Sequence, residues 1–337
     1  MLPKYFDTDQ HISEPPDFLT GRLAKKYEGM VPKPYGTPDP AKYEPKKRIE
    51  MMDIDGIGAT VMFGNGAAMV SRTQDDDFYL DYLRAYNDAL MDWAVAGDAK
   101  RIFPATNIPA IGVEHAMAEL ERAAKKGYKH YLFNRWPSGN TMPSAADEPF
   151  WSLLEETGLV ASFHGFGAGR PKVVASAIAG GAVNPHARNL DHVAIAALRG
   201  AGLGATYEFG QFIMSGILER HPKLKFALIE TSVGWVPYFA ERLDSLYLQH
   251  RWLGSNLQNL PSESIKKVKV SFDRESMGIQ YRDFVGTKNI LFGSDFPHVG
   301  HFYPNTRHFL ELVLHGIPEK EQEQMLWSNA ATLYGVN

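Results

Sequence analysis

The residues best suited to chemistry lie in four short stretches. Residues 7–14 read DTDQHISE and put three carboxylates and one histidine into eight positions. Residues 162–167 read SFHGFG, residues 226–232 FALIETS and residues 292–298 FGSDFPH. Each of these three ends an apolar run with a side chain able to ligate a metal: His164, Glu230, and the pair Asp295 and His298. Taken singly, such residues have ordinary explanations. A histidine after an apolar strand is commonly a satisfied structural group, and a carboxylate there commonly caps the next helix. Convergence changes the reading. Asp9, Glu14, Glu230 and Asp295 in one place would be buried like charges, costly without cations nearby. Few lysines or arginines stand at those positions, so a divalent cation is the economical counter-charge. The chain has no cysteine, so the ligands must be oxygen and imidazole, a set that suits Zn, Mn or Fe. The expected ligands are Asp9, His11, Glu14, His164, Glu230, Asp295 and His298, holding one or two ions per chain.

Such a centre needs elements that deliver side chains to one place. Short apolar, β-branched runs alternate with helical patterns along the chain. The predicted strands are Tyr5–His11, Ala59–Phe63, Ile102–Ile108, Lys129–Asn134, Leu159–His164, Leu224–Thr231, Val268–Phe272 and Asn289–Asp295. Helices are predicted over Pro45–Met52, Asp77–Ala96, Val113–Lys126, Pro149–Glu156, Leu190–Leu218 with a break near Gly200–Gly204, Trp235–His250, a short stretch near Tyr281, Tyr303–His315 and Pro318–Leu333. Regular alternation implies parallel strands joined by helical crossovers. Eight such units in 337 residues predict a single-domain α/β protein, a (β/α)8 barrel spanning the chain, with a doubly wound open sheet as the alternative. In a barrel the functional residues sit at the C-terminal strand ends, where all four stretches fall. Asp9 and His11, two apart, face the same side. Asp7 is expected on that face but lower, hydrogen-bonded within the barrel. His130 opens its strand and is expected at the opposite end.

Composition excludes several classes. The chain is 44% hydrophobic and 22% charged, with a net charge of −4. Its lysine pairs are scattered, so no nucleic-acid or membrane-surface patch is expected. No run approaches the ~18 apolar residues of a membrane span. Neither a signal-peptide pattern nor a phosphate-binding or nucleophile-elbow motif is found. A cytoplasmic protein acting on a small molecule is expected.

The stretches DTDQHISEP at 7–15, SFHGFG at 162–167, ERHPKLKFALIETSVGWVPYFAERLD at 219–244 and ILFGSDFPH at 290–298 give the chain a family likeness. It resembles the amidohydrolase superfamily, in the branch that includes aminocarboxymuconate semialdehyde and γ-resorcylate decarboxylases. The resemblance implies a metal-dependent barrel enzyme, with Asp9, His11, His164 and Asp295 as ligands and Asp295 as proton acceptor for a metal-activated water. It also implies a homodimer. Strand six departs from the decarboxylases, which usually end it in a catalytic histidine; here Glu230 stands there, as a ligand or catalytic group. The leading expectation is hydrolysis or decarboxylation of a small carboxylated or carbonyl compound, aromatic rings permitted. A dinuclear Fe or Mn/Fe oxygenase using Glu14, Glu230 and His298 is the alternative, and a non-catalytic metal-clipped barrel a third. Arg135, Trp136, Arg170 and His301 are the candidates for gripping substrate, and Phe163, Phe166 and Phe296 for an aromatic mouth.

Overall fold

The structure, a computed structural model, describes residues 4–31, 43–70, 73–133, 135–164, 205–253, 257–298 and 300–336. Eight parallel strands close a barrel in sequence order. They are β1 (Tyr5–Ile12), β2 (Ile57–Gly64), β3 (Ile102–Asn107), β4 (His130–Leu132), β5 (Val160–His164), β6 (Lys225–Ile229), β7 (Lys269–Phe272) and β8 (Ile290–Phe292). All eight predicted strands are present, and the predicted (β/α)8 barrel is the observed fold. The first part of the predicted helix Leu190–Leu218 lies outside the described residues; its second part forms Thr206–Met214 and Ile217–Arg220.

The helices form where the sequence supplies an apolar stripe, in one long case with a side-chain cap as well. The Asp75 carboxylate accepts from Phe78 N at 2.9 Å and starts Asp76–Asp98. Val113–Lys125 buries Ala116, Leu120 and Ala123, spaced four and three apart, against the barrel wall. Burial divides accordingly. One large cluster lies between strands and helices, and a smaller one fills the barrel interior, with Phe6, Val61, Phe63, Phe103, Val160, Ile229 and Leu291. Tyr334 of the closing helix plugs that interior from below, its ring stacked 5.4 Å from Phe6.

Two departures from the predicted strands bear on the site. The first is a pairing irregularity in β1 between Asp7 and Gln10, where three residues advance against two on β2. Phe6 and His11 therefore both face inward, but Asp7 does not. It pairs with Thr60 on the outer side, a correction to its expected placement. Its carboxylate still hydrogen-bonds within the barrel wall, to Ser294 Oγ at 2.6 Å and Gln10 Nε2 at 2.8 Å. The second departure is that β6 and β8 end earlier than predicted. Glu230 and Asp295 lie beyond their strands with φ of 56° and 58°, a left-handed conformation that no strand continues.

Candidate metal centre at the barrel mouth

Strand alternation brings Asp9 and His11 from β1 to the barrel axis, and His164 reaches them from the end of β5. Asp9 Oδ1 lies 2.9 Å from His164 Nε2 and 3.3 Å from His11 Nε2. Asp295 Oδ1 lies 2.7 Å from His298 Nδ1 and 3.5 Å from His11 Nε2. Two trios thus share His11: Asp9, His11 and His164, and His11, Asp295 and His298. Within each, one ligand atom per residue lies within 4.8 Å of the others. Glu230 Oε2 is 3.4 Å from His164 Nδ1 at the rim of the first trio. β8 can approach this closely because residue 293 is glycine; a Cβ there would come within 2.7 Å of Asp9 Cβ.

The surrounding shell fixes His11. Its Nδ1 is 3.0 Å from Asn65 Oδ1, and Asn65 Nδ2 donates to Ile12 O at 3.0 Å. The amide thus presents its oxygen to the imidazole, so Nδ1 carries the proton and the Nε2 lone pair points into the centre. Arg48, 1% exposed, reaches from the helix Pro45–Asp55 and donates to His11 O at 2.8 Å. Its guanidinium lies 4.7 Å from the Phe296 ring centroid. Beneath the imidazoles, the Phe63 ring stands 4.3 Å from His164 and 5.2 Å from His130. His130 sits lower, between Tyr334 Oη and Ser162 Oγ, at the end of the barrel expected for it.

The electrostatics fit a cation. Burial raises the Asp9 carboxyl, but the His164 and His11 imidazoles outweigh it and hold Asp9 well below the usual range. Burial, aided by His298, lowers His11 to about 4, so its ring is neutral, the form a ligand needs. Burial also works against a proton on His164, yet Asp9, Glu230 and Asp295 prevail and raise it to about 9. His298 moves up against burial for the same reason, with Asp295 the chief cause. The pocket therefore balances its carboxylates with imidazolium protons that a divalent ion would replace. Asp9 Oδ2 and His11 Nε2 are buried with no hydrogen-bond partner. Orphaned buried acceptors that converge at metal-ligand spacing fit a bound cation.

The expected residues do not all meet. Asp9, His11, His164, Asp295 and His298 converge, with Glu230 at the edge. Glu14 is not brought to the cluster. Its Oε1 accepts from Asn65 N and Gly66 N, both at 2.8 Å, and from Tyr86 Oη, which ties it to the loop after β2. Trp136 and Phe163 are fully buried in the layer between barrel and helices, their rings each 5.0 Å from Phe133. In β5 this follows from alternation, since His164 faces in and its neighbour must face out. Trp136 in this position cannot stack on a substrate. Phe296 is buried under Arg48, and His301 packs edge-on against it at 4.8 Å. Arg135 is exposed on the loop after β4. Arg170 and Phe166 lie outside the described residues.

Sequence reasoning missed Asn65, Arg48 and Arg274. Asn65 and Arg274 follow β2 and β7, so the strand-end rule that found Asp295 could have found both. Arg274 Nη2 stands 3.4 Å from Asp295 Oδ2. Arg48 gives no such signal, being one basic residue in a basic helix start.

A family model described as Amidohydrolase matches residues 7–336. A search of the curated proteins gives no match. Among solved structures, an amidohydrolase from Mycobacterium avium subsp. paratuberculosis K-10 superposes with a TM-score of 0.80 at 21% identity, covering 100% of this chain and 99% of that chain. A 5-carboxyvanillate decarboxylase from Sphingomonas paucimobilis gives 0.75 at 18% identity, with 99% of each chain covered. A dihydroxybenzoic acid decarboxylase from Polaromonas sp. JS666, with bound manganese and the inhibitor 2-nitroresorcinol, gives 0.73 at 20%, covering 100% of this chain and 98% of that chain. At these identities the likeness is one of fold.

Proposed function

The chain belongs to the amidohydrolase family and is an enzyme, a metal-dependent hydrolase or carboxy-lyase; from that premise we propose that it decarboxylates a small aromatic carboxylic acid. The observation that carries this reading is the pair of ligand trios joined at His11, with buried acceptor atoms left unpartnered between them. The reaction class is supported by the decarboxylases among its structural neighbours, several of which hold manganese.

In this reading Asp9, His11, His164 and Asp295 hold one divalent ion, with His298 and Glu230 beside them. When bound, that ion supplies Lewis acidity toward the carboxylate or a phenolic oxygen of the substrate. The chain's own groups do the rest. Asn65 keeps the His11 ring oriented, and Arg48 holds the backbone beneath it. His298, whose protonated form Asp295 favours and which is hydrogen-bonded to Asp295 Oδ1, supplies the proton that takes the place of CO2 on the ring carbon, passed on through the Asp295 carboxylate. The carbon–carbon bond breaks as CO2 leaves, and that proton completes the arene. Buried Phe63 closes the floor of the site against water.

Hydrolysis on the same centre is the second reading. It is favoured by Glu230 at the end of β6, where the resemblance to the decarboxylases leads one to expect histidine.

Manganese-loaded protein should release CO2 from 2,6-dihydroxybenzoate or 5-carboxyvanillate, and D295N should lose more than about 10³-fold in kcat while keeping its fold. Full activity in D295N would falsify the role given to Asp295. Turnover of amides or lactones with no CO2 from any carboxylated arene would favour hydrolysis.

A further inference from the structure

Arg274 has no part in the scheme above, yet it sits against the centre. It follows β7, with Nη2 3.4 Å from Asp295 Oδ2, on the oxygen that Asp295 does not use for His298. Among the described residues it is the arginine that ion-pairs with a carboxylate of the cluster. We infer that Arg274 is the anion-recognition residue of the site, docking a carboxylate of the substrate beside Asp295. This inference rests on the proposed reading of the site as one for carboxylated aromatic compounds.

Three features support it. The guanidinium is braced in advance. Asp273 Oδ2 lies 3.2 Å from Arg274 Nε, and Asp273 Oδ1 accepts from Arg274 N at 2.7 Å. The loop itself is anchored to the turn after β6, since Glu275 accepts from Val233 N at 2.5 Å and from Asp273 N at 3.2 Å. Second, space is kept for it. Gly300, on the loop after β8, has φ of +113°, and a Cβ there would collide with Arg274 Nη1. Third, the group is accessible and not saturated. Its side chain is 35% exposed, whereas Arg48 is sealed behind His11, and the Nε of Arg274 is buried without a hydrogen bond of good geometry. A planar, fixed, partly desolvated guanidinium with donors to spare matches a carboxylate in two-point geometry, which an ammonium cannot do.

The experiment is steady-state kinetics of the manganese-loaded full chain, comparing the KM for 2,6-dihydroxybenzoate with the inhibition constant of its neutral carboxamide. The wild type should prefer the acid by about tenfold or more, the effect of one charge-assisted pair. R274M should lose that margin and keep its manganese, and R274K should recover part of it. G300A should lose it as well, because its Cβ displaces the guanidinium. A margin that survives intact in R274M overturns the inference and leaves the decarboxylase reading standing. Failure of the wild type to turn over the acid overturns both.

Discussion

His11 is useful because only one of its ring nitrogens is free. Asn65 Oδ1 accepts a hydrogen bond from Nδ1–H, and burial lowers the ring to about 4, so Nε2 offers a lone pair at any physiological pH. Removing that orienting partner should weaken metal binding without touching a ligand. N65A is expected to lose about 10- to 100-fold in manganese affinity by chelator competition, with an unchanged thermal midpoint in the metal-free form. Equal affinity in N65A would remove Asn65 from the account. His164 makes the opposite prediction. Its metal-free pKa is raised to about 9, so ion and proton compete for the ring up to that pH. Apparent affinity should climb about tenfold per pH unit from about pH 7 toward 9, with proton release on binding. A flat profile would contradict the charge balance drawn for the pocket.

At the scale of elements, the described loops after β2 and β7 are secured by side chains from neighbouring loops and helices. The loop after β2 hangs on Glu14, which accepts from two of its backbone amides and from Tyr86 of the helix Asp76–Asp98. Tyr86 is wholly buried, and Y86F leaves the ring and removes the hydroxyl donor. It should cost about 1–3 kcal/mol in urea unfolding and shift metal affinity in the same direction as N65A. The number and order of strands could be read from the sequence because β-branched apolar runs alternate with helical stripes, and this pattern survives local irregularity. Asp9, His11, His164 and Asp295 were legible because they stand where runs of that pattern end. Glu14 was expected at the cluster but is tied to the loop after β2, because its position beyond β1 permits two directions, and only the tertiary position of Tyr86 and the backbone of residues 65–66 selects one. Trp136 and Phe163 were assigned to the mouth by chain proximity; Phe163 faces out by strand parity, which the adjacent His164 already fixed, while Trp136, on the loop after β4, is turned into the layer by packing on Phe133, which no parity signals. Asp7 was misplaced because a strand irregularity leaves no compositional mark.

For the molecule as a whole, the barrel interior is a stack. Tyr334 plugs the floor, His130 lies above it, Phe63 separates His130 from His164, and the side chains of the candidate metal centre form the top. This stack makes stability depend on pH. Burial lowers His130 to about 3 from an unfolded value of 6.5. The unfolded state therefore binds more protons between those values, and stability falls as pH drops through that window. Asp7 is raised to about 7 and Glu275 to about 8, both chiefly by burial. They act in the opposite sense, favouring the fold below the usual carboxyl range and losing that contribution as pH rises toward their folded values. The effect of His130 is thus best read as a difference. Between pH 7 and 5 the wild type should lose about 2 kcal/mol more than H130N. Equal losses would mean that His130 is not held neutral. No described helix is long and apolar enough to cross a membrane.

Everything proposed for this site depends on Asp9, His11, His164 and Asp295 holding a divalent ion. The most direct test is elemental analysis of protein purified without added metal or chelator, for the wild type and for H164A and D9A. About one Mn, Zn or Fe per wild-type chain is expected, and loss of most of it in either variant. An ion retained at full occupancy in both variants, or a metal-free wild type with full activity, would contradict it.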